Sequence, residues 1–136
     1  MKYEYFEVTA DIGFRAYGDN LNEAFENAGL AMFNIISDTG GVSPEIEKSF
    51  EISSEDNVSL LYDYLEELLF IHEIEFMLFS EFHVEIEDGF CLKAKIKGEA
   101  IDWDRHERKT EIKAITFHMM EVSVSETAEL QAIVDL

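Results

Sequence analysis

Two runs of residues, Phe82 to Glu87 and Cys91 to Ile101, alternate between apolar and polar side chains and meet at Asp88-Gly89. No other feature of this 136-residue chain constrains its fold as tightly. Alternation with a period of two marks a strand with one buried face. An Asp-Gly pair supplies the positive backbone angles that a tight hairpin turn demands. The spacing therefore predicts an antiparallel pair. Its second strand carries Lys93, Lys95 and Lys97 on one face and Leu92, Ala94 and Ile96 on the other. The apolar face has to be covered by another layer.

Two helical segments can supply that cover. Asn20-Leu21-Asn22-Glu23 has the form of a capping box, in which Asn20 caps and Glu23 reaches back. Leu21, Ala24, Phe25, Ala28, Met32 and Ile35 follow at helical spacing, and the helix stops before Thr39-Gly40-Gly41. The second helix is predicted from a Ser54 cap to about Phe79, with Leu61, Leu65, Leu68, His72 and Phe76 on one face. Tyr3 to Val8 and Glu45 to Ser53 read as strands. Thr9 to Gly13 interrupts the first of these, and Phe14 to Tyr17 resumes the pairing. Thr116 to Val124 and Ala128 to Asp135 read as a closing hairpin, whereas Glu111 to Ile115 fits a helical turn or a strand equally. The expected fold class is α+β: one domain over residues 1–136, mainly antiparallel sheet covered by two long helices.

Charge narrows the function. The chain holds 30 acids against 10 bases, for a net charge of -20. Nucleic-acid binding draws most of its affinity from cations that neutralise phosphates, so direct binding of RNA or DNA is not expected. A basic protein partner or divalent cations fit such a surface, and plain solubility is the alternative. Seven of the ten bases lie between Lys93 and Lys113. They are Lys93, Lys95, Lys97, Arg105, Arg108, Lys109 and Lys113, set among five acids. Cys91 is the single cysteine, which excludes an intrachain disulfide and a cysteine zinc cluster. The apolar window from Leu65 to Phe79 is broken by Glu66, Glu67, His72, Glu73 and Glu75, so no membrane span is expected. MKYEYFEV lacks the apolar core of a signal peptide. The expected setting is the cytoplasm.

Three polar clusters stand out. Asp11 sits in a turn between apolar strands. Asp102-Trp103-Asp104-Arg105-His106 is followed by Thr110-Glu111-Ile112-Lys113-Ala114-Ile115-Thr116-Phe117-His118. The third cluster is Ile133-Val134-Asp135-Leu136. If the last strand stays in the sheet, the Asp135 side chain and the Leu136 carboxylate come close together. Were Asp11 to approach them, three carboxylates would meet, and such a group must hold a proton or a cation. Hard oxygen donors suit calcium or magnesium rather than zinc. The alternative is a solvated chain end. His106 and His118 admit an acid/base role or a structural one. No GxSxG, CxxC or P-loop accompanies them. Lys113, flanked by apolar residues, is either partly desolvated or a surface lysine.

Taken in order, several segments resemble the archease family over nearly the whole chain. They are Tyr3-Glu4-Tyr5, Thr9-Ala10-Asp11-Ile12-Gly13, Glu67 to Ile71, Lys97-Gly98-Glu99, Asp102 with Arg105-His106, Thr110 to His118, and Ile133 to Leu136. Two departures accompany the resemblance. Val8 stands where the family usually has a histidine, and Phe117 replaces the tyrosine of its Thr-Tyr-His.

The resemblance implies a protein without catalytic residues of its own. Archeases serve as cofactors of the RtcB-type RNA ligase, which works with GTP and manganese in tRNA splicing. They promote guanylylation of the ligase and multiple turnover. The resemblance also implies a metal site on Asp11, Asp135 and Leu136, with calcium as the ion. It further marks Asp102, Arg105, His106 and Lys113 as the residues facing the partner. RNA would be reached only through the ligase. Two other functions stay open at this point: a general chaperone or modulator of other proteins, and a metal-dependent phosphoester hydrolase using Asp11, Asp102 and His106.

Overall fold

The computed structural model describes residues Met1–Leu136. In chain order the elements are β1 (Tyr3–Val8), β2 (Asp11–Gly18), α1 (Leu21–Ile36), β3 (Ile46–Ser53), α2 (Asn57–Glu75), β4 (Met77–Glu87), β5 (Cys91–Ala100), β6 (Ala114–Ile115), β7 (Glu121–Val124) and β8 (Ala128–Asp135). The α+β class is as expected, but the strands divide between two antiparallel sheets. One runs β1-β2-β8-β6, with β7 also paired to β8, and the other runs β3-β5-β4. A single cluster of 32 buried residues joins both sheets to both helices. Phe14 and Ala132 enter it from the first sheet, Phe79 and Ile96 from the second, and Phe33 and Leu65 from the helices.

Helix α1 begins where its sequence predicts and stops before Thr39-Gly40-Gly41, but its C-cap is Ser37 in extended backbone, not a left-handed glycine. Asn20 Oδ1 accepts from Glu23 N at 2.9 Å, and Glu23 Oε1 accepts from Asp19 N at 3.1 Å. The helix lies between the sheets and is tied to each. Tyr5 Oη donates to Ala31 O at 2.7 Å. From the other side, Val84 N donates to Glu26 Oε2 at 2.9 Å and Ile86 N to Asn22 Oδ1 at 3.0 Å. Those two bonds occupy the open edge of β4, which would otherwise be free to pair with another chain.

Helix α2 is shorter than its apolar spacing predicts. Asp56, not Ser54, caps it by accepting from Ser59 N at 2.8 Å, and Ser54 Oγ donates to Asp63 Oδ2 at 2.6 Å. At the far end Phe76 turns left-handed (φ 56°) and its N–H bonds to His72 O. Strand β4 starts at the next residue. Phe76 and Leu78 fit a helical period, but Met77, Leu78 and Phe79 are all buried. A strand lodged between layers buries three consecutive residues in a way that one helix face does not. A bulge between Phe79 and Glu81 then shifts the phase, which hides the first half of β4 from an alternation test. Gly98 lies opposite this bulge. A β-carbon there would stand 1.8 Å from Leu78 O, so only glycine fits without moving the strand.

Other boundaries shift too: the strand expected over Thr116 to Val124 is confined to β7, Glu121–Val124. Val8 pairs Asp11 across Thr9-Ala10, so β2 starts at Asp11 rather than beyond Gly13. The β4–β5 turn takes in Phe90 as well as Asp88-Gly89, since Glu87 pairs Cys91. Along β5, Leu92, Ala94 and Ile96 are buried and the three lysines exposed, as alternation requires. The ambiguous segment resolves as β6, a two-residue strand on β8. No helix is long and apolar enough to cross a membrane.

Candidate functional site

Strand β8 lies between β2 and β6, and its register decides which chain ends meet. Asp135 is opposite Asp11 on one side and Ala114 on the other. Directly opposed residues of antiparallel strands share a face, with β-carbons about 4.5–5.5 Å apart. Asp11 and Asp135 therefore put two carboxylates side by side, and Ala114 leaves the row open beyond them. Neither carboxylate forms an ion pair or a side-chain hydrogen bond. Like charges placed this way repel, and a cation between them would relieve the repulsion. Leu136 continues β8 into an open depression of about 650 Å³, lined also by Glu7, Val8, Thr9, Ala10, Asp11 and Ile12. The donors are all oxygens, which fits a hard divalent cation. No group of three or more His, Cys, Asp or Glu side chains is arranged so that it could hold a metal ion by itself. A third oxygen donor here would have to come from the main chain, at Leu136.

Lys113 reaches the same end of the sheet. Its N–H donates to Asp135 O at 2.8 Å, while its side chain is exposed and without an ion-pair partner. Val8, the first departure, pairs Asp11 and lines the depression with an apolar side chain. Phe117, the second, stacks on Tyr62 of α2 with ring centroids 3.9 Å apart and planes at 9°.

Asp102, Arg105 and His106 gather elsewhere, around Glu99 at the end of β5. The Arg105 guanidinium donates to Glu99 Oε1, Ser43 N donates to Oε2 at 2.6 Å, and His106 Nε2 lies 3.0 Å from Oε2. Asp102 N donates to His106 Nδ1 at 3.0 Å. Since a backbone amide can only donate, Nδ1 accepts and Nε2 carries the proton toward Glu99. His106 is buried with both ring nitrogens engaged, so it braces the loop and presents no face to a partner. The Arg105 bond, the Ser43 amide and the His106 bond together hold the Glu99 carboxyl down at about 2. A hydrolase centre built from Asp11, Asp102 and His106 is not assembled: Asp11 sits on the first sheet, and His106 is committed to Glu99 on the second. His118 is exposed and without a partner.

Sequence reasoning missed Glu99 as the hub. It falls on the lysine face of β5 and is nonetheless buried, because the following loop folds over it. An acid ending a row of three lysines, with Arg and His six and seven residues later, was the available signal. Also missed was a cavity of about 330 Å³ bordered by Ile36, His72, Phe76, Ile101 and Trp103. At its rim the Arg108 guanidinium lies 5.1 Å from the centre of the Trp103 ring.

Comparison with known proteins finds relatives over nearly the whole chain. A model of the Archease protein family matches residues 3–136. "Protein archease" of Methanothermobacter thermautotrophicus is 56% identical over 123 residues, covering 88% of this chain and 87% of that protein. The protein of the same name from Pyrococcus abyssi is 48% identical over 124 residues, covering 89% and 87%. That from Methanosarcina acetivorans is 45% identical over 140 residues, covering 99% and 96%. The solution structure of Methanobacterium thermoautotrophicum protein 1598 superposes with a TM-score of 0.89 at 52% identity, over 99% of each chain.

Proposed function

The chain belongs to the archease family, and from that premise we propose that it activates the RtcB-type GTP-dependent RNA ligase of tRNA splicing. It does no chemistry itself. It acts in the cytoplasm, promotes guanylylation of the ligase and sustains multiple turnover. The observation that carries this proposal is the cross-strand register of Asp11 with Asp135. It sets two uncompensated carboxylates side by side, next to an open depression that Asp11 and Leu136 line, with the Lys113 N–H bonded to Asp135 O.

Asp11, Asp135 and the main-chain carboxylate of Leu136 would hold a divalent cation; their hard oxygen donors suit calcium or magnesium, and the family resemblance favours calcium. Bound there, the ion would supply a fixed positive charge at a surface that is otherwise strongly acidic. Lys113 stands beside it as a second, flexible cation for a phosphate or a carboxylate of the ligase. The loop carrying Asp102 and Arg105 supports the same docking by its shape, which Glu99 and His106 hold from inside. A net charge of -20 turns the protein toward a basic partner and away from naked RNA.

The experiment adds the protein to a purified ligase with GTP and manganese and counts ligated RNA per ligase. Asp11→Ala removes one anchor. A short extension beyond Leu136 converts its carboxylate into a peptide group. Each change is expected to abolish stimulation while leaving the unfolding transition nearly unmoved, because Asp11 lies outside the core and the extension keeps the Leu136 side chain that packs against it. Full stimulation by both variants would sink the proposal. Suppression of aggregation of unrelated client proteins at equal strength would favour a general chaperone instead.

A further inference from the structure

Helix α2 has a second surface that neither the core nor the carboxylate end uses. Residues four apart stack along one helix face, and Tyr62, Glu66, Phe70 and Ile74 follow that spacing. Leu61, Leu65, Leu68 and Ile71 take the buried side. Phe70 is 56% exposed, Ile74 67% and Phe76, just past the helix, 55%. At the other end Phe117 lies flat on Tyr62 and is itself 56% exposed. The row from Tyr62 to Phe76 spans about 21 Å at the helical rise per residue. A lone exposed apolar side chain is ordinary, but Phe70, Ile74 and Phe76 exposed together at one end of the helix, with Phe117 on Tyr62 at the other, mark a contact surface.

Backbone strain points the same way. Phe76 adopts φ 56°, a conformation that favours glycine at a helix C-terminus and disfavours a bulky side chain. Fold stability alone would select glycine there. A large ring is held in this strained position with more than half its surface in solvent, a pattern found where a side chain is kept for contact.

Charge identifies the occupant. Glu66 within the row and Glu67 and Glu73 beside it form no ion pair, whereas Glu75 is held by Lys48 at 2.7 Å. A second copy of this chain would bring another net -20 and the same glutamates against them. A phosphate backbone would be repelled equally. An amphipathic helix with an apolar row and flanking Lys or Arg matches both features. We infer that the outer face of α2, from Phe117 on Tyr62 through Phe70 and Ile74 to Phe76, docks a basic amphipathic segment of the partner protein. The inference rests on the proposed ligase partnership and adds to it a contact separate from the carboxylate end.

The test measures binding to immobilised RtcB-type ligase and stimulation across a concentration series, for wild type, Phe70→Ala/Ile74→Ala, Glu66→Lys/Glu73→Lys and Asp11→Ala. Both α2 variants are expected to weaken binding by about tenfold or more, with unchanged thermal unfolding. Both should still reach full stimulation at saturating concentration, whereas Asp11→Ala should not reach it at any concentration. Binding weakened by less than about threefold in both α2 variants overturns the inference. So does a wild-type protein that does not bind the ligase, or self-association in sedimentation that Phe70→Ala/Ile74→Ala abolishes. If Asp11→Ala stimulates fully while the α2 variants bind weakly, the α2 surface stands and the carboxylate site falls.

Discussion

At the scale of single residues, Glu99 shows how far a local pattern can mislead. Its place in the alternation of β5 assigns it to solvent with Lys93, Lys95 and Lys97, yet the loop that follows buries it. The cause is a set of charge-assisted bonds from Arg105, the Ser43 amide and His106, which no sequence period encodes. These hold the folded carboxyl at about 2 against an ordinary 4.5. Because the folded value is depressed, the stabilisation is fully present above about 4.5 and is lost as pH falls through about 2. Glu99→Gln is therefore expected to lower stability by about 2 kcal/mol at neutral pH. The gap to wild type should close between pH 4.5 and 2 in denaturant unfolding. A gap that stays constant over that range would mean that Glu99 contributes by shape alone. Asp11 and Asp135 were legible in the sequence as candidates by residue type, and as a pair only conditionally until the family resemblance implied it. Their pairing depends on strand register.

At the scale of elements, the start of α1 was legible because its signal is local, Asn20 before the first apolar position; the helix ends at an extended Ser37 cap rather than through a left-handed glycine of Thr39-Gly40-Gly41. The end of α2 was not legible, because Phe76 and Leu78 satisfy a helical period while the chain has already left the helix. What decides the boundary is the burial of Met77, Leu78 and Phe79 between layers, which only the assembled molecule supplies. The left-handed Phe76 that makes this exit has a measurable consequence. Phe76→Gly is expected to raise stability by about 1 kcal/mol by removing backbone strain. The same substitution removes the exposed ring and should weaken ligase binding. A fall in unfolding free energy would show instead that the ring packs into the core. The β4–β5 hairpin was legible from Asp88-Gly89, but the first half of β4 was masked by the bulge opposite Gly98.

At the scale of the whole molecule, the net charge of -20 governs the choice of partner. Binding to a basic ligase surface is expected to weaken steadily between 50 mM and 500 mM salt, and single-stranded RNA should not be retained in filter binding at any of these concentrations. Salt-independent binding to the ligase, or RNA retention at low salt, would contradict that expectation. Charge, hairpin chemistry, helix caps and the apolar periods were determined by the sequence alone, since each depends on residues a few positions apart. Three features were decided only by tertiary structure: the division of the strands into two sheets, the burial of Glu99, and the meeting of Asp11 with Asp135. Each needs contacts between residues far apart in the chain. Such contacts are selected by the closing of one shared core around α1 rather than by any local preference.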